Sequence, residues 1–313
     1  MMLFSVLLSA CSVAADESPQ DARLTLDEIH LRDPFILPVK ETGRYYLFGT
    51  RWTGEMPGFV VYSSPDLAVW EGPTRAFRPP EGFWADRDFW APEVHPYRGK
   101  YYMFASLKAP GACRGTQILV AEKPEGPYRP HSADAVTPRD WECLDGTLFV
   151  DDEEKPWMAF CHEWVQISDG TICALPLRDD LRAAAGEPVQ LFAASEAPWV
   201  FEFGIKRRGR VTDGPCMYRA SDGSLLMLWS SFDPHGYCLG VARSASGALT
   251  GPWTQSPEPL YRDDGGHGML FRTFDGQLML VLHQPNKAPQ ERPRLFEVEE
   301  KEASLVLRPH TTP

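Results

Sequence analysis

Five ionisable residues recur along this chain of 313 residues at similar intervals and could carry chemistry together. Asp33, Glu93, Asp145, Asp213 and His267 follow one another at spacings of 60, 52, 68 and 54 residues. Carboxyl and imidazole groups can transfer protons or bind a cation. Charges that converge in a narrow space suffer desolvation and mutual repulsion, so they are expected where catalysis or a cation needs them.

Each of the five residues opens a segment of the same kind. A short apolar strand is followed by a turn rich in Gly, Pro or acidic residues, and then by a second apolar and often aromatic strand. The segments are DPFILPVKETGRYYLFGT, EVHPYRGKYYMFAS, DGTLFVDDEEKPWMAFCH, DGPCMYRASDGSLLMLWSS and HGMLFRTFDGQLMLVLHQ. More polar strand pairs lie between them, around SPDLAVWEGP, EKPEGPY and SASGALTGPW.

This period is typical of four-stranded propeller blades. The sequence therefore predicts an all-β protein, a five-bladed β-propeller with blades of four antiparallel strands, in a single domain over residues 24–313. Because the innermost strand of each blade lines the central axis, the five ionisable residues are expected to converge in one funnel. Loops such as 51–58 and 75–88 would shape the mouth of that funnel.

Composition supports many short strands rather than a helical bundle. The chain has 25 Gly and 29 Pro, about 17% of its residues against roughly 12% in an ordinary globular protein. It also has 17 Phe, 10 Trp and 10 Tyr, and a net charge of −12. Nucleic-acid binding needs a broad basic surface, which this balance argues against. The one basic run, residues 206–210, indicates a solvated turn, and a neutral ligand is predicted.

The N-terminus predicts export. Residues 2–10 form an apolar run too short to span a bilayer, followed by small residues that resemble a cleavage site, so residues 1–15 are predicted to be a signal peptide. Cleavage either follows Ala15 or precedes Cys11, where the sequence from Leu8 resembles a lipoprotein signal and Cys11 would carry a lipid anchor. The protein would be periplasmic, an outer-membrane lipoprotein or extracellular in a bacterium, with no transmembrane segment.

The remaining cysteines do not suggest zinc. They stand at positions 113, 143, 161, 173, 216 and 238 without a C-x-x-C pair. Cys161, Cys173 and Cys216 lie in apolar runs and are predicted to be buried thiols. Cys113 and Cys143 flank one loop-rich region and could form a disulfide in an exported chain, although sequence does not determine connectivity.

Three motifs, in order and in phase with the repeat, resemble those of glycoside hydrolase family 43. They are Arg32-Asp33-Pro34-Phe35, Trp90-Ala91-Pro92-Glu93-Val94 and Leu144-Asp145-Gly146-Thr147, and the resemblance covers about residues 30–290. It implies a five-bladed propeller that hydrolyses arabinose-, xylose- or galactose-containing polysaccharides with inversion. It also implies that Asp33 is the general base and that Asp145 orients the acid and raises its pKa.

The fourth motif departs from the family. The usual Glu-Gly-Pro, whose Glu is the general acid, is replaced by Asp213-Gly214-Pro215. Asp213 is the predicted acid, but it is one methylene shorter, so its backbone would have to approach the substrate more closely. The alternative acids are Glu196 and Glu202, followed by Glu163 and Glu93.

Cleaving a glycosidic bond needs one carboxylic acid that protonates the departing oxygen and one carboxylate that deprotonates the attacking water. Inverting enzymes hold the two groups about 6.5 to 9.5 Å apart. Non-adjacent blades can supply that separation, with Asp33 on blade 1 and Asp213 on blade 4. The negative charge of Asp145 on blade 3 would keep Asp213 protonated.

Sugar rings have apolar faces edged by hydroxyls, so a binding site should pair aromatic and polar side chains. The candidates for substrate binding are Arg32, Phe35, Trp90, Glu93, His162, Trp164, Gln166, Phe232 and His235. The resemblance makes His267 the axial histidine that faces a Ca²⁺ or another ion, otherwise coordinated by water. A buried, hydrogen-bonded histidine is the alternative, because calcium prefers oxygen ligands.

The predicted function is an exported inverting glycosidase that acts on carbohydrate, first of all an exo-acting α-L-arabinofuranosidase, with β-xylosidase and galactofuranosidase activities close behind. A fructan or sucrose hydrolase of a related clan is one alternative, because Trp141-Glu142-Cys143 resembles that group's acid motif. A catalytically silent carbohydrate-binding propeller is another, because the acid position holds Asp.

Overall fold

The computed structural model describes residues 23–51, 57–302 and 304–310. The predicted signal peptide, with Cys11, lies outside the described residues, as does most of the 51–58 loop. No described helix is both long enough and apolar enough to cross a membrane.

Twenty-one described strands form five antiparallel sheets, which are the five predicted blades. Blade 1 contains β1 (Arg23–Leu24), β2 (Arg32–Val39), β3 (Arg44–Thr50), β4 (Phe59–Ser64) and β5 (Trp70–Phe77). Blade 2 contains β6 (Arg87–Tyr97), β7 (Lys100–Lys108), β8 (Gly115–Ala121) and β9 (Arg129–Pro130). Blade 3 contains β10 (Cys143–Val150), β11 (Pro156–His162), β12 (Thr171–Pro176) and β13 (Val189–Ala193).

Blade 4 contains β14 (Asp213–Arg219), β15 (Leu225–Asp233), β16 (Gly236–Ser244) and β17 (Trp253–Gln255). Blade 5 contains β18 (Gly266–Arg272), β19 (Leu278–Gln284), β20 (Arg292–Lys301) and β21 (Ser304–Pro309). The described helices are one turn of α-helix, α1 (Trp164–Ile167), and two 3₁₀ turns, Leu26–Glu28 and Ala194–Glu196. The prediction of an all-β five-bladed propeller is confirmed.

The blades bury apolar side chains on both faces, which explains why their second strands are almost continuously apolar. All of β15 from Leu225 to Ser231 is buried, as is β3 from Tyr45 onward. Trp70, Trp229 and Phe160 are among the largest fully buried side chains. Burial of one such side chain contributes about 1.5–3 kcal/mol to folding, so packing between blades stabilises the strands that reach the axis.

Each innermost strand contains a β-bulge at the same height. In all five blades two consecutive residues lie opposite one residue of the second strand. The first bulge residue has a positive φ in every blade, with Asp33 at 52°, Ala91 at 43°, Asp145 at 57°, Gly214 at 53° and His267 at 50°. A positive φ is strained for a residue other than glycine, and such bulges commonly re-aim side chains beside active sites.

This register corrects the predicted phase of two residues. Glu93 stands two positions after its bulge residue, Ala91, and Asp213 stands one position before its bulge residue, Gly214. The sequence repeat alone placed Glu93 and Asp213 level with Asp33. Shifts of one or two residues are small beside a repeat of more than 50 residues, so the repeat could not reveal them. A shift of one residue is nevertheless enough to reverse the face that a side chain points to.

The bulge amides link each blade to the one before it. In four blades the amide donates a hydrogen bond to a buried side chain on the second strand of the preceding blade. These bonds run from Ala91 to Thr50 Oγ1 (2.7 Å), from Asp145 to Ser106 Oγ (2.8 Å), from His267 to Ser230 Oγ (2.8 Å) and from Asp33 to His283 Nδ1 (3.3 Å). They satisfy backbone donors of buried residues.

The fifth link uses a different acceptor. On blade 3 the equivalent position is Cys161, which pairs with Leu144, and a thiol is a weak acceptor. The amide of Gly214 donates instead to Oδ2 of Asp145, at 3.0 Å. Asp145 is therefore both a functional candidate and the connection between blades 3 and 4.

The described cysteines are all free thiols. Cys161 and Cys173 are buried, as predicted, whereas Cys216 is half-buried. Cys113 and Cys143 are not joined, so of the two alternatives for this pair the structure has free thiols.

Replacing Ser230 with alanine should lower the free energy of unfolding by about 1–3 kcal/mol, because the His267 amide would be left buried without an acceptor. Urea unfolding measures this change. Ser304→Ala is the matched control, since Ser304 is exposed and bonds only the Lys301 carbonyl, and it should change stability by less than about 0.5 kcal/mol. Equal effects of the two substitutions would contradict the blade-linking role.

Candidate active site

A cavity of about 180 Å³ opens on the propeller axis at the height of the bulges. Both the bulge residue and the residue before it reach this cavity in blades 1 and 3. Its lining residues are Arg32, Asp33, Trp90, Leu144, Asp145, Asp213 and His267. The structure thus brings together six residues that sequence analysis named, from all five blades.

Asp33 is held as a carboxylate. Its Oδ2 accepts a hydrogen bond of 2.7 Å from Thr50 Oγ1, and its Oδ1 lies 3.3 Å from Arg32 Nε and 3.1 Å from His267 Nδ1. Burial would raise the pKa of this carboxyl group, but His267 and Arg32 hold its pKa well below the usual range. Asp33 is therefore ionised at neutral pH and can accept a proton.

Two buried histidines near Asp33 differ in charge, since one is a cation and the other is neutral. Burial would lower the pKa of His267, but the facing carboxylates of Asp33 and Asp145 raise its pKa to about 10. Burial and the nearby Arg32 lower the pKa of His283 to about 3. His267 is consequently a cation, whereas neutral His283 can accept the Asp33 amide hydrogen on Nδ1.

The carboxyl groups of Asp145 and Asp213 both have raised pKa values. Burial raises the pKa of Asp145 to about 8, with His267 opposing the shift and Asp213 adding to it. Burial also raises the pKa of Asp213, although Arg32 and His267 counteract it. Tyr237 donates a hydrogen bond of 2.9 Å from its hydroxyl to Asp213 Oδ2. Carboxyl groups whose pKa values are pushed apart in this way are suited to separate acid and base roles.

Arg32 is fixed on the cavity wall by residues of blades 4 and 5. Its Nη1 bonds Asn286 Oδ1 and lies 3.6 Å from the buried carboxylate of Glu291. Its guanidinium carbon lies 5.7 Å from the centroid of the Tyr237 ring. Arg32 thus presents a positioned donor group beside Asp33.

Trp90 is supported from behind by a buried cation. The guanidinium of Arg114 lies 4.3 Å from the centroid of a Trp90 ring. Arg114 also forms ion pairs with Asp88, at 2.8 Å, and with Glu163. Burial raises the pKa of Glu163 to about 7 despite the pairing with Arg114.

Two predicted substrate-binding residues do not line the cavity. Phe35 and Glu93 both stand two positions beyond the first bulge residue of their strands and are buried. The Phe35 ring lies 5.2 Å from that of His95, and Glu93 Oε2 lies 3.3 Å from His95 Nε2. Both side chains therefore contact His95 and lie outside the lining of the cavity, and their role in substrate binding stays a prediction.

Other predicted wall residues lie outside the cavity lining. His162 stacks on Trp141, with centroids 4.2 Å apart, and its Nε2 lies 2.8 Å from Gln166 Oε1. Gln166 also accepts from the Glu142 amide, at 2.8 Å, so it braces the preceding loop. His235 is exposed in the turn after β15.

Trp164 and Phe232 form an aromatic cluster with Phe203, which sequence analysis did not name. The Phe203 ring stacks on Phe232 at 4.0 Å, and its centroid lies 5.9 Å from that of Trp164. Phe232 lies in turn 5.1 Å from Tyr237, the partner of Asp213. The cluster therefore reaches the cavity through Tyr237.

The alternative acids are placed elsewhere. Glu196 is exposed and accepts from the Ala193 amide, and Glu202 pairs with Arg208 and Arg210 at 3.3 and 3.5 Å. Glu142, from the motif that resembles fructan hydrolases, lies 2.7 Å from Lys108 Nζ. Burial would raise the pKa of Glu142, but the Lys108 and Arg114 contacts lower it, so this group stays ionised.

The residues on the axis do not by themselves form a calcium site. No group of three or more His, Cys, Asp or Glu side chains in the described ranges could hold a metal ion. His267 directs Nδ1 toward Asp33 and Asp145, whereas calcium takes six to eight oxygen ligands. The axial Ca²⁺ stays a prediction from the family resemblance, and no catalytic step is derived through it.

Three functional residues escaped sequence analysis. Leu144 lines the cavity immediately before the bulge of blade 3, which is the position that Arg32 occupies in blade 1. Knowledge of the bulge positions would have been enough to predict it. Tyr237 lies on β16, the third strand of blade 4, and Arg114 lies just before β8, the third strand of blade 2. No sequence motif singles out either residue. Only the packing of blades 2 and 4 shows that Arg114 supports Trp90 and that Tyr237 bonds Asp213.

Comparison with known proteins agrees with this architecture. The sequence model of the family described as Glycosyl hydrolases family 43 matches residues 28–301. A solved structure described as an endo-arabinase from Bacteroides thetaiotaomicron VPI-5482 is 44% identical, with a TM-score of 0.84, and the match covers 89% of this chain and 98% of that one. A thermostable family-43 glycoside hydrolase of known structure is 24% identical, with a TM-score of 0.79, covers 95% and 97% of the two chains, and supports the fold.

Among curated proteins, the extracellular exo-alpha-(1->5)-L-arabinofuranosidase ArbA of Cellvibrio japonicus (strain Ueda107) is 27% identical over 293 residues, which cover 82% of this chain and 79% of that protein. The extracellular endo-alpha-(1->5)-L-arabinanase 1 of Bacillus subtilis (strain 168) is 26% identical over 144 residues, 43% of this chain and 44% of that protein.

Arg114→Met should lower the free energy of unfolding by about 3–5 kcal/mol, because it leaves the buried carboxylate of Glu163 and the half-buried one of Asp88 without their cation. Adding Glu163→Gln should recover part of that loss by removing one unpaired charge. Urea unfolding of the single and double variants measures both effects. A double variant that is no more stable than Arg114→Met would contradict the pairing of Arg114 with Glu163.

Proposed function

The chain belongs to glycoside hydrolase family 43 and is a glycosidase, and from this premise we propose that it releases α-L-arabinofuranosyl residues with inversion, one at a time from chain ends. One observation carries the proposal. A cavity of about 180 Å³ holds an ionised carboxylate, Asp33, together with two carboxyl groups of raised pKa, Asp145 and Asp213.

In the proposed reaction, Asp33 accepts a proton from a water molecule as the water oxygen attacks the anomeric carbon. The bond from that carbon to the leaving oxygen breaks on the opposite face of the sugar. Asp213 gives its proton to the leaving oxygen, so an alcohol departs and the sugar carries the new hydroxyl in inverted configuration. Proton exchange with water restores both carboxyl groups for the next cycle.

Asp145 supports the acid without taking part in bond breaking. Its Oδ2 accepts the amide hydrogen of Gly214, the residue that follows Asp213. This bond fixes the backbone that carries the shorter acid. The neighbouring carboxylate that adds to the raised pKa of Asp213 is Asp33, since two carboxylates in one buried site cannot both ionise easily.

The cavity wall suits a single sugar ring. Trp90 and Leu144 offer apolar surface for a ring face, and Arg32 offers hydrogen-bond donors for ring hydroxyls. Arabinose is the sugar that the names of several relatives specify, including the ArbA arabinofuranosidase and the arabinofuranosidase 43 of Humicola insolens. These two features together support arabinofuranose over xylose or galactofuranose.

Endo action on arabinan is the second candidate. It is favoured by the structure that is 44% identical, which is described as an endo-arabinase. Export is likewise part of the proposal, because two relatives with arabinan-directed names are described as extracellular. The signal peptide and the lipid anchor on Cys11 stay predictions from the N-terminal sequence.

Incubation with linear arabino-oligosaccharides tests the proposal directly. Wild-type protein should release arabinose as its only early product, and NMR should detect the β-anomer first, because inversion converts an α-linkage to a β-product. Early release of arabinobiose or longer fragments would establish endo action instead. Parallel assays on chromogenic xylosides, galactofuranosides and fructosides should give weaker activity or none. Binding of the arabino-oligosaccharides without any product would favour the silent carbohydrate-binding alternative.

The acid and the base are distinguished by the leaving group in the same assay. Asp33→Asn should lower kcat by about 10²–10⁴ on every substrate, because every substrate needs the activated water. Asp213→Asn should lower it as much on oligosaccharides but far less on 4-nitrophenyl arabinofuranoside, whose leaving group needs little protonation. Full activity of both variants would overturn the assignment.

Tyr237→Phe should extend activity to higher pH. The Tyr237 hydroxyl donates to Asp213 and stabilises its ionised form, so removing the hydroxyl raises the pKa of Asp213 further. The acid then stays protonated at higher pH. The apparent pKa of the alkaline limb in the pH profile of kcat/KM should therefore increase by about one unit. Tyr46→Phe is the control, since the Tyr46 hydroxyl bonds Thr42 away from the cavity; an unchanged or lowered limb in Tyr237→Phe would contradict the assignment.

A further inference from the structure

A small loop beside Asp213 carries exposed aromatic and basic side chains that the proposed mechanism does not use. Phe203 and Gly209 exchange both of their backbone hydrogen bonds, at 2.7 and 3.1 Å, and close residues 203–209 into a compact loop. The base of the loop is anchored on both sides. The amide of Phe201 donates to the Phe232 carbonyl at 2.8 Å, and that of Arg210 donates to the Ser168 carbonyl at 2.8 Å.

Aromatic contacts connect the 203–209 loop to the proposed acid. The rings of Phe203 and Phe232 are nearly parallel, at 14°, with centroids 4.0 Å apart. Phe232 contacts Tyr237, whose hydroxyl bonds Asp213. Trp164 supports the loop from the other side, since its ring packs edge to face with Phe203 and close to the backbone of Gly209. The position of Phe203 relative to the cavity is therefore fixed by packing.

The apolar surface of the 203–209 loop and its flank is unusually open. The exposed fraction is 41% for Phe203, 49% for Phe201 and 99% for Ile205. Exposed aromatic side chains beside a binding cavity commonly mark contact with a ligand or partner. A sugar ring suits a ring such as Phe203, because its CH face can stack on the aromatic face while its hydroxyls remain in water.

The tip of the loop is basic on an acidic protein. The segment from 202 to 210 carries four cations, Lys206, Arg207, Arg208 and Arg210, and one carboxylate, Glu202. Glu202 pairs with Arg208 at 3.3 Å and with Arg210 at 3.5 Å. The chain as a whole has a net charge of −12. Four cations against one anion create a local positive potential that favours an anionic ligand.

We infer that the 203–209 loop binds the leaving-group side of the substrate, and that this side carries carboxylates, as in an oligosaccharide of uronic acids. The inference rests on the proposed function, because the leaving oxygen must lie next to the acid and the loop is connected to Asp213. One sugar of the leaving group stacks on Phe203, and its carboxylates lie near Lys206 and Arg207. The substrate class is then arabinose attached to an acidic carbohydrate chain.

Calorimetric titration with trigalacturonate, and with its fully methyl-esterified form as a neutral match, tests the inference. The acidic trisaccharide should bind wild-type protein about fivefold more tightly than the ester. The double substitution Lys206→Gln and Arg207→Gln should remove that difference, because it acts on charge alone. Phe203→Ala should weaken the binding of both ligands by about fivefold, because it removes the stacking surface.

Two controls are matched by residue type and lie on the turns at the far ends of their blades. Lys40 is an exposed lysine between β2 and β3, and Phe274 stacks on Tyr45 at 4.2 Å between β18 and β19. Lys40→Gln and Phe274→Ala should leave both affinities unchanged. Thermal unfolding of Phe203→Ala shows whether the variant is folded.

The inference is overturned if trigalacturonate does not bind, if it binds no better than its ester, or if the loop variants bind it as wild type does. Failure of the proposed function has a different signature, namely no hydrolysis of arabinofuranosides by wild-type protein. The titrations decide the role of the loop in either case, since they require no turnover.

Discussion

The architecture of the site depends on a ring of five bulges around the propeller axis. A bulge residue with positive φ costs about 1–3 kcal/mol when it is not glycine, and four of the five are not glycine. The strain is offset because each bulge amide finds a buried acceptor in the neighbouring blade. The hydrogen bonds that close the propeller at this height are thus the same ones that place Asp33, Asp145 and His267 at the cavity.

The direction of the pKa shift of each aspartate and histidine at the cavity follows from its neighbours rather than from its residue type. Three aspartates surround one cavity, but only Asp33 lies beside both Arg32 and His267 with good geometry, and its pKa falls. Asp145 is as buried as Asp33, and Asp213 is half-buried; the charges around both are less fully compensated, so their pKa values rise. The two nearby histidines also differ: the carboxylates of Asp33 and Asp145 outweigh burial and raise the pKa of His267, whereas burial and the nearby Arg32 lower the pKa of His283.

Sequence-based prediction succeeded for the features that repeat along the chain and failed for those that depend on strand register at the bulges. The repeat located all five inner strands and four of the cavity residues, and the motifs on those strands supplied Arg32 and Trp90. Phe35 and Glu93 were also predicted to bind substrate, whereas both lie two positions beyond the first bulge residue and outside the cavity lining. Tyr237 and Phe203 could not be identified, since their importance comes from contacts with Asp213 and Phe232 that no local pattern encodes.

The sequence by itself determined the blade count, the all-β class, the family and the set of ionisable residues that could act. These follow from periodic apolar strands and short motifs, which are local properties of the chain. Only the tertiary structure decided which carboxyl groups have raised pKa values, which amide bonds Asp145, and which aromatic contacts connect the 203–209 loop to Asp213. Those properties depend on burial and on the distances between groups from different blades, and such distances are set when the ring closes.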